Sequence, residues 1–339
     1  MKADGVREAV SKVRKGLSGK FQGSVEAAAC LCAETVAGGL SFLCVTAAVQ
    51  SVQYGLSISS STPLLAPSCG FLGICAASVA SCVMSRATGA VVGDFVKHRQ
   101  ETRGKGKFSW MAVYQRNCAE ACEHFGVGGM EREKNGGQPR ATGGRLKKFV
   151  SSPGFPMVLG GLLTFCVLGG RFSSLAPSNL SMPGAHSRLE ASLPATFEYA
   201  NDVERGILNH LGSIFGCHSC GAKKKVGQFI ADHQPPLKIA TGRANGFFGK
   251  VAKYTVGLFD KQWETGLVGG VLGVRQRFFP QCTSCSKLQS VAVRKGRRVL
   301  VTHLTSLRSF HGSGALVPLL RRIDSAATAA APSPSRPPA

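Results

Sequence analysis

The sequence predicts a mainly α protein: a transmembrane helical hairpin, a third membrane segment, and a small helical or irregular soluble region. Three observations lead there. Charged residues make up 17% of the chain, yet residues 35–85 contain no Asp, Glu, Lys, Arg or His. Chance would leave so long a run at on the order of 1 in 10,000 starting positions. The run divides into two apolar stretches, 35–58 and 64–84, each near the roughly 20 residues that a bilayer core demands of a helix. Ser59, Ser60, Ser61, Thr62 and Pro63 separate them. A third apolar stretch, 149–171, lies farther along.

Residues 1–34 read as an amphipathic basic leader helix. Val6, Val10, Val13, Leu17 and Phe21 fall on one face, and Lys12, Arg14, Lys15 and Lys20 occupy the others. Such a helix suits a headgroup layer, an organellar presequence or a soluble packing face. Asp4 and Glu8 count against the presequence. The apolar run starts well inside the chain, so it is not read as a secretory signal peptide.

The hairpin is assigned to residues 35–97. In its first span, Gly38, Gly39, Ser41, Ala47 and Ala48 keep the helix slim, while Gln50 and Gln53 call for an interhelical hydrogen-bond partner. In the second, Cys69, Gly73, Ala77, Ser81, Ser85, Gly89 and Gly93 recur at every fourth position. Small residues at that spacing let two backbones approach closely, so Gly73 to Gly93 form a candidate helix-packing seam.

Residues 98–148 read as a basic, glycine-rich loop with one helix near 111–125. Lys97, Arg99, Arg103, Lys105 and Lys107 precede that helix; Arg145, Lys147 and Lys148 close the loop. These cations suit anionic phospholipids or partner subunits, as does the net charge of +23. The local Lys and Arg count places this loop on the inner, synthesis side of a membrane. The third segment, 149–171, either crosses or re-enters, since its core holds four glycines and two prolines stand at its entry. Residues 172–325 form a soluble basic region, with a Ser- and Pro-rich connector, a helical part over 197–281, a short apolar run at 265–274, and a strand or basic helix over 290–310. Residues 326–339 have nothing to bury and read as a disordered tail.

One constellation carries chemistry. Cys217 and Cys220, followed by Gly221, form one Cys-x-x-Cys turn; Cys282 and Cys285 form another. Two such turns complete a tetrahedral set of thiolates, the closed geometry of structural zinc. The first turn resembles a zinc-knuckle turn over those few residues. A disulfide or redox pair and unligated cysteines are the alternatives, and His210 or His218 could substitute as ligands. Cys118, Cys122 and His124 make a smaller group without a fourth ligand.

No phosphate loop, His-Glu-x-x-His pair or nucleophile elbow is present, and paired carboxylates are absent, so no enzyme is expected. The sequence therefore points to a non-catalytic, multi-pass accessory subunit of an organellar membrane complex, with the mitochondrial inner membrane first. Alternatives are a zinc-containing RNA-binding or ribosome-associated protein, and a small channel or carrier lined by Ser41, Gln50 and Gln53.

Overall fold

The computed structural model describes residues 3–102, 107–124, 154–195, 198–236, 238, 276–304 and 306–330. The chain is mainly helical and contains two helices long and apolar enough to cross a membrane, within Ser24–Gly55 and Leu65–Arg99. Its helices are α1 (Ala3–Gly55), α2 (Leu65–Glu101), α3 (Trp110–His124), α4 (Gly154–Val167), α5 (Asp202–Phe215), α6 (Thr283–Lys295) and α7 (Ser313–Ala330). Short strands are β1 (Ser178–Asn179), β2 (Leu193–Pro194), β3 (Phe229–Gln234), β4 (Arg277–Cys282) and β5 (Leu300–Val301).

The leader and the first span form one continuous helix of 53 residues rather than two elements. Between Phe21 and Thr35 the chain has no proline and several alanines, so nothing breaks the backbone pattern where the charge pattern changes. The break comes at the hairpin turn. There Ser57 and Leu64 take positive φ (55° and 62°), and the Ser59 N–H donates to Thr62 Oγ1 (3.1 Å). The third apolar segment yields α4, with 14 helical residues. At 1.5 Å per residue this is about 21 Å, short of the roughly 30 Å hydrocarbon core.

The chain divides into two compact units. The first comprises Met1–Thr46, Ile74–Gly170 and Arg308–Ala339. Here α1, α2, α4 and α7 pack through small residues. A Cβ at Gly314 would press on Phe42 and come within 2.8 Å of the Gly38 carbonyl oxygen; one at Gly38 would meet the Gly314 carbonyl at 2.8 Å. Ser81 Oγ donates to the Gly314 carbonyl (2.8 Å) and Ser85 Oγ to the Glu34 carbonyl (3.0 Å). Gly89 leaves room for the buried Glu34 carboxylate, which Arg322 pairs at 3.4 Å, while Gly161 accommodates Ser78. Ala77 is fully buried, whereas Gly93 has no neighbour within 4 Å of a built Cβ. Cys82, Val83, Ala121, Met157 and Val317 form the apolar centre of this unit.

Helix α7 departs from the soluble region and tail read from sequence. Pro318 and the Arg321–Arg322 pair interrupt its apolar pattern, so it lacks the long uncharged signature of a span. Its close approach instead depends on Gly314.

The second unit comprises Ala47–Gly73 and Arg171–Leu307. Strand β1 pairs antiparallel with β5, and a second sheet has the order β2–β4–β3, also antiparallel. Strands β3 and β4 therefore lie in the 197–281 stretch, where helix was expected beyond α5. Pro280 lies in the middle strand, but β2 reaches only Arg277 and Phe278; beyond them the His218 N–H donates to the Pro280 carbonyl (2.9 Å), so the missing N–H leaves no strand ladder incomplete. The short 265–274 run and the glycine-rich part of the basic loop lie outside the described residues.

The hairpin turn is tied into this unit. Gln50 does not find the interhelical partner expected of it. Its Nε2 donates to the Leu175 carbonyl (2.8 Å) and to His303 Nδ1 (3.0 Å), and its Oε1 accepts the His303 N–H (3.0 Å). His303 Nε2 donates to the Ala176 carbonyl (3.0 Å), which fixes the tautomer that leaves Nδ1 free to accept. Arg298 donates to Ser59 Oγ (2.8 Å), and the Ser60 N–H to the Pro177 carbonyl (2.8 Å). Gly70 lies against the Phe172 backbone, and Gly73 against Val49.

The two glycine environments predict opposite responses. Gly314→Ala forces a methyl into packed backbone and is expected to cost about 1–3 kcal/mol. Gly93→Ala meets open space and is expected to be neutral or to stabilise by up to about 1 kcal/mol. Reversible unfolding in mixed micelles measures both; equal effects would contradict the packing described.

Candidate metal centre

Four segments converge on the cysteines. Helix α5 begins at Asn201, whose side chain accepts the Glu204 N–H (2.9 Å) while Glu204 Oε2 accepts the Asn201 N–H (2.8 Å). Its buried face, Leu208 and Gly212, packs on the sheet, and Gly212 lies against the Phe229 ring. The helix stops at Gly216, φ +84°, and the chain turns directly into Cys217. Within the turn, the Gly221 N–H donates to the Cys217 carbonyl (2.8 Å) and the Cys217 N–H to the Ala222 carbonyl (2.9 Å). Gly221 has φ +77°, a conformation that residues with a Cβ avoid, which accounts for glycine immediately after the second cysteine.

The other turn sits where a strand meets a helix. Asn209 Oδ1 accepts the Gly227 and Phe229 N–H groups (3.1 and 3.0 Å), aligning the start of β3 on α5. Strand β4 then runs back along β3 and places Cys282 opposite Phe229. Cys282 ends the strand and caps the N-terminus of α6; Cys285 lies in that helix's first turn. The unpaired amides of a helix N-terminus favour negative charge on nearby sulfur.

The four Sγ atoms of Cys217, Cys220, Cys282 and Cys285 all lie within 4.8 Å of one another, and three of these residues are buried. Cys220 and Cys282 approach to 3.8 Å across the two turns. Zinc–sulfur bonds of about 2.3 Å imply a tetrahedral edge of about 3.8 Å, so the spacing fits. A disulfide requires about 2.05 Å, and all four thiols are free. The Cys282 N–H donates to Cys217 Sγ (3.3 Å), the kind of backbone support that thiolate ligands use.

The thiols cannot ionise independently. Donation from Cys217, Cys220 and Cys285 drives the Cys282 thiol strongly toward thiolate. Its contact with Cys217 brings Cys220 to about 7, while contacts with Cys220 and Cys282 push Cys217 up. Cys285 is also driven up, by Cys217, Cys220 and Cys282. In effect, the sulfurs share protons around an anionic centre. A metal cation can replace those protons, and an all-sulfur tetrahedral donor set is of the kind that suits zinc or iron. The site can thus hold a metal and, with every ligand supplied by protein, has no open position for chemistry at it.

The other candidate residues lie elsewhere. His218 is held by other partners: its Nδ1 accepts the Gly184 N–H (3.2 Å), and Nε2 contacts Asp232 Oδ2 (3.1 Å). His210 is exposed on α5. Among the described residues, no ligand group assembles around Cys118 and Cys122. Lys97, Arg99 and Lys107 are exposed, and Arg103, Lys105, Arg145, Lys147 and Lys148 lie outside the described residues.

Sequence reasoning missed a polar network beside the cysteines, formed by Asp232, Gln234, Gln281 and Gln289. The available signal was Gln281 immediately before the second turn and Gln289 one helical turn beyond it.

No protein-family model, curated protein or solved structure matches the chain.

The purified protein is expected to carry one zinc per chain by elemental analysis. Changing Cys217, Cys220, Cys282 and Cys285 together to Ser should abolish it. Zinc that persists at full stoichiometry in that variant would contradict the site.

Proposed function

We propose that the chain is a non-catalytic, multi-pass membrane subunit whose zinc-stapled domain is seated on the turn of its own helical hairpin. One observation carries the reading. Only 17% of the apolar window in α1 is buried, against 50% of that in α2. A helix in the core of a soluble protein would be covered. Instead Val36, Leu40, Val52 and Tyr54 stay exposed along α1, as do Leu65, Phe71 and Leu72 on α2. In water each large apolar side chain left exposed forgoes about 1.5–3 kcal/mol relative to burial. Lipid tails or the helices of partner subunits supply the missing cover.

The metal domain has a structural role in this reading. Among the described residues it shows two small sheets and small apolar clusters, the situation in which small domains use a metal as a staple. Gln50, His303, Ser59 and Arg298 connect it to the hairpin turn. Both ends of the Gln50 amide are engaged there, which favours anchoring over a solute path. Exposed Lys97, Arg99 and Lys107, with the rest of the basic loop, suit anionic headgroups or an acidic partner surface. The basic amphipathic leader makes the mitochondrial inner membrane the first compartment to test.

A second reading, an RNA-binding protein, draws support from charge on the metal domain. Residues 276–323 contain no Asp or Glu, and Lys287, Arg294, Lys295 and Arg297 are exposed there. Lys223, Lys224, Lys225 and Gln228 line one open concavity. Aromatic side chains for base stacking are sparse beside these cations, which keeps this reading second.

Alkaline carbonate extraction of membranes from expressing cells separates the two. The membrane reading expects the protein in the pellet. Clean release, together with RNA binding that weakens steeply with salt, would replace it with the second reading.

A further inference from the structure

Strand β3 carries two different faces. Phe229 and His233 are buried toward one side, with His233 against the Phe278 ring (centroids 4.4 Å apart). On the other side Asp232 is nearly enclosed, its side chain 11% exposed, and donors converge on it from three directions.

His218, inside the first cysteine turn, accepts the Gly184 N–H at Nδ1, so its proton sits on Nε2 and is donated to Asp232 Oδ2 (3.1 Å). Gln289, on α6 beyond the second turn, donates Nε2 to Asp232 Oδ1 (2.7 Å). Gln234, two residues along β3, donates Nε2 to Oδ2 (2.5 Å). The network then closes on itself. Gln281, adjacent to Cys282, donates to Gln289 Oε1 (2.5 Å) and contacts Ser219 Oγ (3.4 Å) in the first turn.

We infer that Asp232 is the positioning residue of the metal centre: its carboxylate clasps both cysteine turns to strand β3 and sets their register. A carboxylate has two oxygens that both accept, so it can hold the His218 turn and the Gln289 helix at once; no neutral side chain of the same shape accepts at both ends. Charge-assisted bonds of this kind are the stronger ones, and enclosure raises the cost of breaking them. None of the clasp's atoms belongs to the four-sulfur set, and it needs no metal to form. Its effect on affinity rests on the four-cysteine reading, but the clasp itself does not.

Full-length protein in mild detergent, with and without chelator, tests both parts. With a competing zinc chelator as reference, Asp232→Ala and Asp232→Asn are expected to bind zinc about 10–100-fold more weakly than the parent chain. Cobalt substitution should still give a tetrathiolate spectrum in each. If Asp232 acts only by filling space, the isosteric Asn variant restores parental affinity, and that result overturns the inference.

Metal-free protein gives the independent readout. Under oxidised glutathione, peptide mapping should show the Cys220–Cys282 disulfide forming at least tenfold faster in the parent than in either variant; equal rates overturn the clasp. Gln289→Ala, which removes one donor, should slow trapping by a smaller factor; a rate equal to the parent's also overturns it. Should the parent chain itself bind no zinc, the metal reading fails and the trapping rates alone decide the clasp.

Discussion

Most of the apolar surface of α1 is left uncovered by the described residues, and most features of the first unit accord with that. An uncharged helical stretch of this length suits either a protein interior or lipid, and the low coverage of α1 among the described residues is what supports lipid in the proposed membrane reading. Where α1 does meet other helices, glycines make room for the contacts, as Gly314 does for the buried Phe42. Gly38 and Gly314 let two backbones touch, and Gly89 makes room for Glu34. Hydroxyls of Ser81 and Ser85 then donate to main-chain carbonyls of the neighbouring helices. This is the packing expected where hydrophobic burial supplies little net drive between helices, so that close contact and hydrogen bonds must hold them.

The ion pair between Glu34 and Arg322 fits the same logic. Glu34 is the last charged residue before the uncharged run, and it is buried. A carboxylate placed there requires a cation, and α7 brings one. Removing Arg322 would take a cation from a buried carboxylate, whereas removing Glu34 would leave only an exposed guanidinium, so the first change is the costlier.

The second unit solves a different problem with different means. Its apolar clusters are small, built around Leu180 with the cysteines and around Leu208 with Phe278. Four sulfurs at tetrahedral spacing and a buried carboxylate network together fix what so little core would leave loose. Much of this was legible in the sequence. The uncharged run revealed the two long helices, and the paired Cys-x-x-Cys turns revealed the cluster although some sixty residues separate them. Gly221 was legible too, as the residue that can follow Cys220 with positive φ. Other parts were not, for physical reasons. Helix α7 is held by Gly314, Val317 and Arg322 together, and it carries Pro318 and two arginines, so no long uncharged run announces it. Strands β3 and β4 are short, and β4 contains a proline that is tolerated only because its neighbour strand ends early. Asp232 fell in a stretch read as helical, and two of its donors come from positions 14 and 57 residues away, so nothing local marked it.

The account stands or falls on what touches the uncovered face of α1. The direct measurement is tryptophan fluorescence from Leu40→Trp, with Trp110 and Trp263 changed to Phe, in vesicles of brominated phosphatidylcholine. The account predicts strong quenching by the brominated tails and none by aqueous iodide. Quenching by iodide, with no effect of the bromolipid, would place that face in water and contradict it.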